Sequence, residues 1–353
     1  MSEADVDALM RPYQGAVPGA CVAVLREGAV IVRRAHGLAD LEARAAVTSA
    51  TNFRLASMAK QFTAAAVLLL AEDGRLTIDD PVRKWLPTLP AAADGMRLRH
   101  LLSHTSGLID YEEVIPAAWS TPLRDPDVLG LLETENRRYF DPGSRYRYSN
   151  GGYVLLALAA ERAAGEGYAA FLRRRIFQPL GMHNTVAVEN RTTEILHRAY
   201  GYSAAGQGWI RTDQTLTSTT LGDGGIYSSI DDLCKWDAAL SGAGLLRPAS
   251  LRQAFEAATT TGDPSVQYGF GWRITGATRW HSGETLGFRN VVVRFPGARA
   301  GVFVLTNRNA PAPYRMALAI ARLFIPEAHD AANEAAASHE AGPDPNARPL
   351  PKD

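Results

Sequence analysis

The chain contains 353 residues, of which 46% are hydrophobic and 21% are charged, as in ordinary soluble globular proteins. Its 37 basic residues are matched by 37 acidic ones, which argues against a nucleic-acid partner because such proteins usually carry a basic excess. No apolar run reaches the roughly 18 residues that a membrane span requires. The N-terminal MSEADVDALM has no apolar signal core, so we expect a cytoplasmic chain as given, or a periplasmic or secreted one if a signal was trimmed.

The first predicted elements are a hairpin and a long apolar helix. ACVAVLR and AVIVRRA flank a Glu27-Gly28 turn, which predicts paired strands over 20–35. Apolar residues at helical spacing predict a helix over 54–70. Asp73-Gly74 is a suitable C-cap for that helix.

From about residue 80 to 215 the pattern is that of helices separated by proline and glycine. The clearest helical segments are DVLGLLETE, GGYVLLALAAERAAG and YAAFLRRRIFQPLGM. A stretch rich in threonine, serine and glycine over 203–225 predicts a long loop. DDLCKWDAALSG follows it as another predicted helix.

The C-terminal part returns to strands, with a final amphipathic helix in PYRMALAIARLFI. The predicted strands are QYGFGWRIT, TRWH, GFRNVVVRFP and GVFVLTN. Strands at both ends predict the α/β class (an α+β sandwich), with one antiparallel sheet built from both chain ends, flanked by helices and facing an inserted helical lobe. A cleft between sheet and lobe is the expected ligand site.

We expect a single domain over 1–326 followed by an Ala/Pro-rich loose tail over 327–353. The domain divides into an α/β lobe, about 1–80 and 215–326, and a helical lobe, about 81–214. No internal repeat is present in the sequence.

Lys60 is an unusual residue for an apolar helix. Lysines are rare in the chain: only four of the 37 basic residues are lysine, namely Lys60, Lys84, Lys235 and Lys352. Arginine stays protonated and cannot act as a base, whereas a buried lysine can become neutral. Ser57 precedes Lys60 by three positions, so the two side chains share one face of the helix. The pair therefore favours proton transfer over a surface charge.

Three short motifs occur in order along the chain, each weak by itself. They are Ser57-Met58-Ala59-Lys60, Tyr148-Ser149-Asn150 and His281-Ser282-Gly283. Two alternatives stay open for the second motif. Tyr148, with Tyr146 two residues earlier, could be a structural tyrosine that packs the cleft wall, and Asn150 could cap the helix that begins at Gly151.

Metal and disulfide patterns are weak. Cys21 and Cys234 lie far apart in unlike contexts. His100 and His104 are four residues apart, but HLLSH lacks the glutamate of the zinc motif H-E-x-x-H. We therefore expect structural loop histidines, no metal site and no cofactor.

The three motifs resemble those of the serine penicillin-recognising enzymes, most of all the branch around class C β-lactamases and their esterase and D-peptidase relatives. That family carries S-x-x-K, Y-x-N and then K-T-G or H-x-G, in this order. The resemblance covers about residues 10–325 and extends to the blocks LLSHTSGL, PGSRYRYSNGGYVLL, QPLGM, GDGGIYSSIDDLCKW and YGFGW. It implies a β-lactamase/transpeptidase-like fold.

The resemblance implies a role for each residue of the first two motifs. Ser57 is the acylated nucleophile, and its place at a helix N-terminus stabilises a developing anion. Lys60 takes or relays the serine proton. Tyr148 is the general base and titrates as one coupled system with Lys60. Asn150 donates its amide to the substrate.

By the same resemblance, His281 lines the opposite wall and orients the substrate or the proton relay. Gly283 completes the third motif. The oxyanion hole comes from the backbone N–H groups of Ser57 and Glu284, and one such donor typically contributes about 100- to 1000-fold in rate.

The implied activity is that of a serine hydrolase acting through a Ser57 acyl-enzyme on a small-molecule substrate. His281 replaces the lysine of most β-lactamases and transpeptidases, and a neutral histidine binds a substrate carboxylate poorly. We therefore expect small esters or D-amino-acid-containing peptides and amides. The alternatives are a true β-lactamase or D,D-carboxypeptidase, a penicillin-binding sensor that does not turn over, and a scaffold with an inactive site. The oligomeric state stays open.

Overall fold

The computed structural model describes residues 3–190, 192–242 and 244–338. The strands in chain order are β1 Ala20–Arg26, β2 Ala29–His36, β3 Leu38–Asp40, β4 Ala45–Ala46, β5 Phe53–Arg54, β6 Val186–Ala187, β7 Tyr202–Ala205, β8 Gly208–Arg211, β9 Ile226–Ser228, β10 Thr259–Thr260, β11 Gln267–Tyr268, β12 Arg273–Thr275, β13 Thr278–Thr285, β14 Phe288–Phe295 and β15 Ala300–Thr306.

The helices in chain order are α1 Glu3–Leu9, α2 Lys60–Glu72, α3 Val82–Trp85, α4 Leu98–Leu102, α5 Asp125–Glu133, α6 Asn150–Ala164, α7 Tyr168–Leu172, α8 Ile230–Ser241, α9 Pro248–Phe255, α10 Tyr314–Phe324 and α11 His329–Ser338. Short 3-10 turns connect several of them. Over the residues that the structure describes, no helix combines the length and the apolar character needed to cross a bilayer.

The two ends of the chain form an eight-stranded antiparallel sheet in the order β10-β11-β12-β13-β14-β15-β1-β2. β1 pairs with β2 on one side and with β15 on the other, which joins the N-terminal hairpin to the C-terminal strands. The hairpin predicted over 20–35 is confirmed. The predicted class, with an antiparallel sheet formed from both chain ends, is confirmed as well.

Helices cover both faces of this sheet. In β1, Cys21, Ala23 and Leu25 pack into a hydrophobic core shared with α2 and α6. Val22 and Val24 point the other way, into a second core shared with α1 and α10. Successive side chains of a strand alternate between faces, so a strand buried on both sides becomes a continuous apolar run.

The helices between the two sheet-forming parts are arranged around α6. This helix contacts α2, α3, α4, α5 and α7, and every residue from 151 to 160 is buried. The helices around α6 therefore lie on the same side of the sheet as α2, which is where the ligand cleft was expected. The residue boundaries assigned to the two lobes stay a prediction.

The helix predicted over 54–70 starts later than expected. Arg54 belongs to β5, which pairs with β9, and the chain then forms a 3-10 turn over Ala56–Ala59 before α2 begins. The end of the helix agrees with expectation, since Asp73 is its C-cap and Gly74 has a φ of +68°. The difference matters because it puts Ser57 in a turn.

Two glycine-containing segments also differ from expectation. Residues 203–225 were expected to be a loop, but β7 and β8 form a hairpin there, turning at Gly206 with a φ of +56°. QYGFGWRIT was expected to be one strand, but it divides into β11 and β12 around Gly271, whose φ is +77°. Glycine at positive φ interrupts or reverses a strand without a steric cost.

The loose tail expected from residue 327 is wrong for its first part. Residues His329–Ser338 form α11, in which Ala332 and Ala335 are fully buried against the second core. Alanine at this spacing gives a helix a narrow apolar face that packs closely. Residues 339–353 of the predicted tail lie outside the described residues.

Candidate active site

Ser57 lies in the tight turn that precedes α2. Ala56, immediately before it, is buried and has a φ of +49°. A left-handed conformation costs a residue with a Cβ about 1–2 kcal/mol, and such strain persists only where the surroundings impose it. The turn brings the partly buried Ser57 side chain next to Lys60, with Oγ and Nζ 2.9 Å apart.

Lys60 is the first residue of α2, and its side chain is wholly buried. Nζ lies 2.9 Å from each of three oxygens: Ser57 Oγ, Asn150 Oδ1 and the main-chain carbonyl of Asp223. Burial lowers the pKa of Lys60 to about 8, against the opposing effect of the carboxylates of Asp223 and Glu112. A substantial neutral fraction therefore exists at mildly alkaline pH.

Asn150 does not cap α6. The cap is Ser149, whose Oγ accepts a hydrogen bond from the N–H of Gly152 at 3.0 Å, so the capping alternative is wrong. The Asn150 amide instead bridges two charged groups: Oδ1 accepts from Lys60, and Nδ2 donates to Glu112 Oε1 at 3.1 Å. A carboxylate only accepts, so Glu112 determines which end of the amide faces the lysine.

The partners of Lys60 differ in what they can do when it loses a proton. Asn150 Oδ1 and the carbonyl of Asp223 can only accept hydrogen bonds, whereas the Ser57 hydroxyl can also donate. A neutral amine keeps two N–H groups, which serve the two obligate acceptors. The nitrogen lone pair then faces Ser57, so the geometry suits Lys60 to remove the serine proton.

The Tyr148 ring packs next to the lysine. Nζ of Lys60 is 4.9 Å from the ring centroid, and the guanidinium carbon of Arg273 is 5.7 Å from it. Two basic side chains therefore lie beside one phenol ring. Tyr146 packs instead against His104 and Tyr268, with ring centroids 6.0 Å apart in each case.

His104 supports Tyr148 from behind. Its buried ring lies 4.3 Å from the Tyr148 ring, and its Nδ1 accepts a hydrogen bond from the N–H of Ser149 at 3.1 Å. Burial, followed by the charge of Lys60, holds the pKa of His104 well below its usual range. His104 is therefore a neutral structural residue, and its φ of +59° shows how tightly this loop is built.

His281 is almost completely buried, with 1% of its surface exposed. Its Nε2 lies 2.9 Å from the Tyr268 hydroxyl, and its Nδ1 lies 2.6 Å from the carbonyl oxygen of Ser282. Burial, with the charges of Arg273 and Lys60, keeps the pKa of His281 well below normal. The ring is thus neutral and engaged at both nitrogens, 6.5 Å from the Tyr148 ring centroid.

Gly283 allows β13 to approach the serine turn at backbone distance. A Cβ at this position would overlap the carbonyl oxygen of Leu55. The residue that follows, Glu284, has an exposed side chain 3.4 Å from Arg289. The structure therefore brings the backbones of the first and third motifs together, as an oxyanion hole would need.

Gly283→Ala is expected to lower kcat/KM by about 10- to 100-fold, because displacing the reacting groups by about 1 Å has effects of that size. The free energy of unfolding should fall by about 1–3 kcal/mol from overpacking. Gly297→Ala is the matched control, since a Cβ there meets nothing within 4 Å. Enzyme assays and urea unfolding would measure both effects, and a fully active Gly283→Ala protein would contradict this view of the contact.

Three residues at this site were not recognised from the sequence: Glu112, Asp223 and Arg273. Glu112 lies two residues after Asp110, the N-cap of a short 3-10 turn, and its carboxylate accepts a hydrogen bond from the Asn150 amide. Arg273 begins β12, paired opposite Trp280. No local pattern distinguishes these charges, although GDGG around Asp223 was part of a family-like block.

Metal ligands do not cluster around the site. Among the residues that the structure describes, no group of three or more histidine, cysteine, aspartate or glutamate side chains could hold a metal ion. Cys21 and Cys234 are both buried free thiols.

Known proteins resemble this chain in sequence and in fold. Penicillin-binding protein 4* of Bacillus subtilis (strain 168) is 32% identical over 310 residues, which are 82% of this chain and 68% of that protein. A D-aminopeptidase of Brucella ovis is 32% identical over 301 residues, which are 81% of this chain and 55% of that protein. The chain thus spans just over half the length of the D-aminopeptidase. The D-amino acid amidase of Ochrobactrum anthropi SV3, solved with L-phenylalanine amide, superposes with a TM-score of 0.74 at 26% identity, covering 86% of this chain and 91% of that one.

The fold and the site together define a serine hydrolase of the type that includes β-lactamases and penicillin-binding proteins. The Beta-lactamase family model matches residues 5–326, and the chain belongs to that family. The resemblance inferred from the three motifs is confirmed.

Proposed function

We propose that the chain hydrolyses amides and short peptides of D-amino acids with a free α-amino group, through an acyl-enzyme on Ser57. The observation that carries this proposal is the 2.9 Å contact between Ser57 Oγ and Lys60 Nζ, with the other partners of Nζ restricted to accepting. The preference for D-amino acids rests on the relatives named as a D-aminopeptidase and a D-amino acid amidase.

Acylation begins when neutral Lys60 accepts the Ser57 proton and Oγ bonds to the substrate carbonyl carbon. The backbone N–H groups of Ser57 and Glu284 hold the resulting oxyanion. The carbon–nitrogen bond then breaks, and the departing amine takes a proton from Tyr148, which Lys60 replaces. Tyr148 suits this step because Lys60 and Arg273 both lie beside its ring.

Deacylation uses the same three side chains, with the proton transfers in the opposite order. Tyr148 first passes its proton to Lys60, and the resulting phenolate takes a proton from the water molecule that attacks the ester carbon. The ester bond to Oγ breaks, and Ser57 recovers its proton from Lys60. Each turnover therefore returns Ser57, Lys60 and Tyr148 to their starting protonation states and releases a free acid.

Glu112 favours substrates with a free ammonium group. Its carboxylate is partly buried and accepts a hydrogen bond from Asn150, whose other amide atom binds Lys60. The ammonium of an N-terminal residue is the complementary group, and hydrogen bonds between charged groups contribute about 1.5–3 kcal/mol. Neutral, engaged His281 offers no charge to a substrate carboxylate, which disfavours β-lactams.

A substrate panel tests the proposal. D-alanine amide should be hydrolysed faster than L-alanine amide, N-acetyl-D-alanine amide and a chromogenic cephalosporin. An activated ester such as 4-nitrophenyl acetate should also turn over, since it enters the same acylation step and lacks a carboxylate. Because Arg273 lies beside Tyr148, N-acetyl-D-alanyl-D-alanine belongs in the panel, and its preferential hydrolysis would favour the D,D-carboxypeptidase alternative.

Glu112→Gln is expected to lower kcat/KM for D-alanine amide by about 10- to 100-fold, because the carboxylate that pairs with the substrate ammonium is lost. Hydrolysis of N-acetyl-D-alanine amide should change by less than about threefold, since glutamine can still accept from Asn150. Glu113→Gln is the matched control, because Glu113 is exposed and pairs with Arg147. Equal losses on both amides would contradict ammonium recognition by Glu112.

A further inference from the structure

A second buried acid lies behind Lys60. The main-chain carbonyl of Asp223 accepts a hydrogen bond from Nζ at 2.9 Å, and only 6% of the Asp223 surface is exposed. Its carboxyl Oδ2 is 3.5 Å from the Tyr111 hydroxyl, at the long limit of a hydrogen bond. Over the described residues, the buried Oδ1 has no hydrogen-bond partner. A buried carboxyl oxygen without a partner is costly, so its retention calls for a reason.

The loop that carries Asp223 is held rigidly. Asp125, at the start of α5, accepts hydrogen bonds from the N–H groups of Leu221 at 2.7 Å and Gly222 at 3.2 Å. A Cβ on Gly222 would overlap the carbonyl oxygen of Tyr153, so the loop packs directly on α6. Asp223 therefore cannot move away from Lys60 without breaking these contacts.

We propose that Asp223 is a positioning residue whose carboxylate determines how readily Lys60 gives up its proton. This proposal rests on the proposed function, in which neutral Lys60 is the base. An anion in a poorly solvated site favours the ammonium form, whereas burial favours the amine. Asp223 thus sets the acid limb of the pH profile without touching the substrate.

Burial raises the pKa of Asp223, against the opposing effects of the Lys60 charge, a hydrogen bond with Thr220 and the Arg54 charge. The other charged groups around Lys60 act on its ammonium form in opposite directions. Glu112 favours the ammonium, and Arg273 opposes it. His104 and His281 are neutral, because burial keeps their pKa values well below normal. The rings of Tyr148 and Tyr153 face Nζ at 4.9 and 5.6 Å. Asp223 is more deeply buried than Glu112, so solvent screens its charge less.

The pH dependence of kcat/KM on D-alanine amide tests this role, because its acid limb reports the base of the free enzyme. The unmodified chain should show a midpoint near the Lys60 pKa of about 8. Asp223→Asn keeps the carbonyl that binds Nζ but removes the charge, so the midpoint should fall by at least about one pH unit. At pH 6 the variant would then retain a fraction of its own maximal kcat/KM that is roughly tenfold larger than the fraction the unmodified chain retains.

Asp237→Asn is the matched control, since Asp237 is also a buried acid but pairs with Arg294 and not with the Asp223 loop. It should weaken the fold while leaving the midpoint in place. If Asp223→Asn does not fold, Asp223→Ser removes the same charge in a smaller side chain. An unchanged or raised midpoint in a folded variant would overturn the role of Asp223. Absence of Ser57-dependent hydrolysis in the unmodified chain would instead overturn the proposed function.

Discussion

Ser57→Ala is expected to lower kcat/KM by about 10⁴-fold or more on every substrate that the chain hydrolyses. The reason is that no acyl-enzyme can form without Oγ, and loss of the nucleophile in serine hydrolases leaves only the contribution of the oxyanion hole and binding. Steady-state assays on D-alanine amide and an activated ester would measure the effect.

The fold should tolerate this change. Ser57 is partly exposed, and its side chain makes one hydrogen bond, to Lys60, so the free energy of unfolding should change by less than about 1 kcal/mol. Urea unfolding of the variant provides the control. A Ser57→Ala protein that is fully folded and retains more than about a tenth of the activity would contradict the assignment of Ser57 as nucleophile.

Lys60→Met is expected to lower kcat by about 10²- to 10⁴-fold, the range for removal of a general base. Methionine has nearly the length of lysine but neither accepts the Ser57 proton nor replaces the one lost by Tyr148. Activity should not recover at high pH, which separates loss of the base from a shifted titration. Activity that reappears above pH 9 would show that another group removes the serine proton.

The same variant should alter how stability depends on pH. Burial depresses the pKa of Lys60 from 10.5 to about 8, so the unfolded chain binds this proton more tightly than the folded chain. The unmodified protein is therefore penalised below pH 8, and the penalty disappears as the pH rises to 10.5. Relative to Lys60→Met, its free energy of unfolding should increase by about 3 kcal/mol over that interval. Parallel pH profiles for the two proteins would show that Lys60 is not desolvated.

The sequence predicted those features of the site that depend on local spacing. Ser57 and Lys60 are three residues apart, and this spacing predicted that their side chains meet, although Ser57 lies in the 3-10 turn before α2 and not in the helix itself. The N-terminal hairpin was also readable, because two strand-like runs flank the Glu27-Gly28 turn. The order of the three motifs then supplied the family, and with it the fold.

What could not be read from the sequence depends on long-range packing. Glu112 meets Asn150 from 38 residues away, and Asp223 meets Lys60 from 163 residues away, so neither contact leaves a local pattern. The neutral state of His281 depends in the same way on burial and on Tyr268. The alanine-rich sequence of α11 was interpreted as a loose tail. Its apolar face becomes evident only when the helix packs against the second core, which the local sequence does not show.

The most direct measurement is a time course of intact mass after an activated D-alanyl ester is added to the chain, followed by peptide mapping of the trapped species. We expect a transient gain of one acyl group, located on the peptide that contains Ser57, which disappears as free acid is released. Ser57→Ala should gain no mass under the same conditions. Hydrolysis with no acylated species at any time, or an acyl group carried by another residue, would contradict a Ser57 acyl-enzyme.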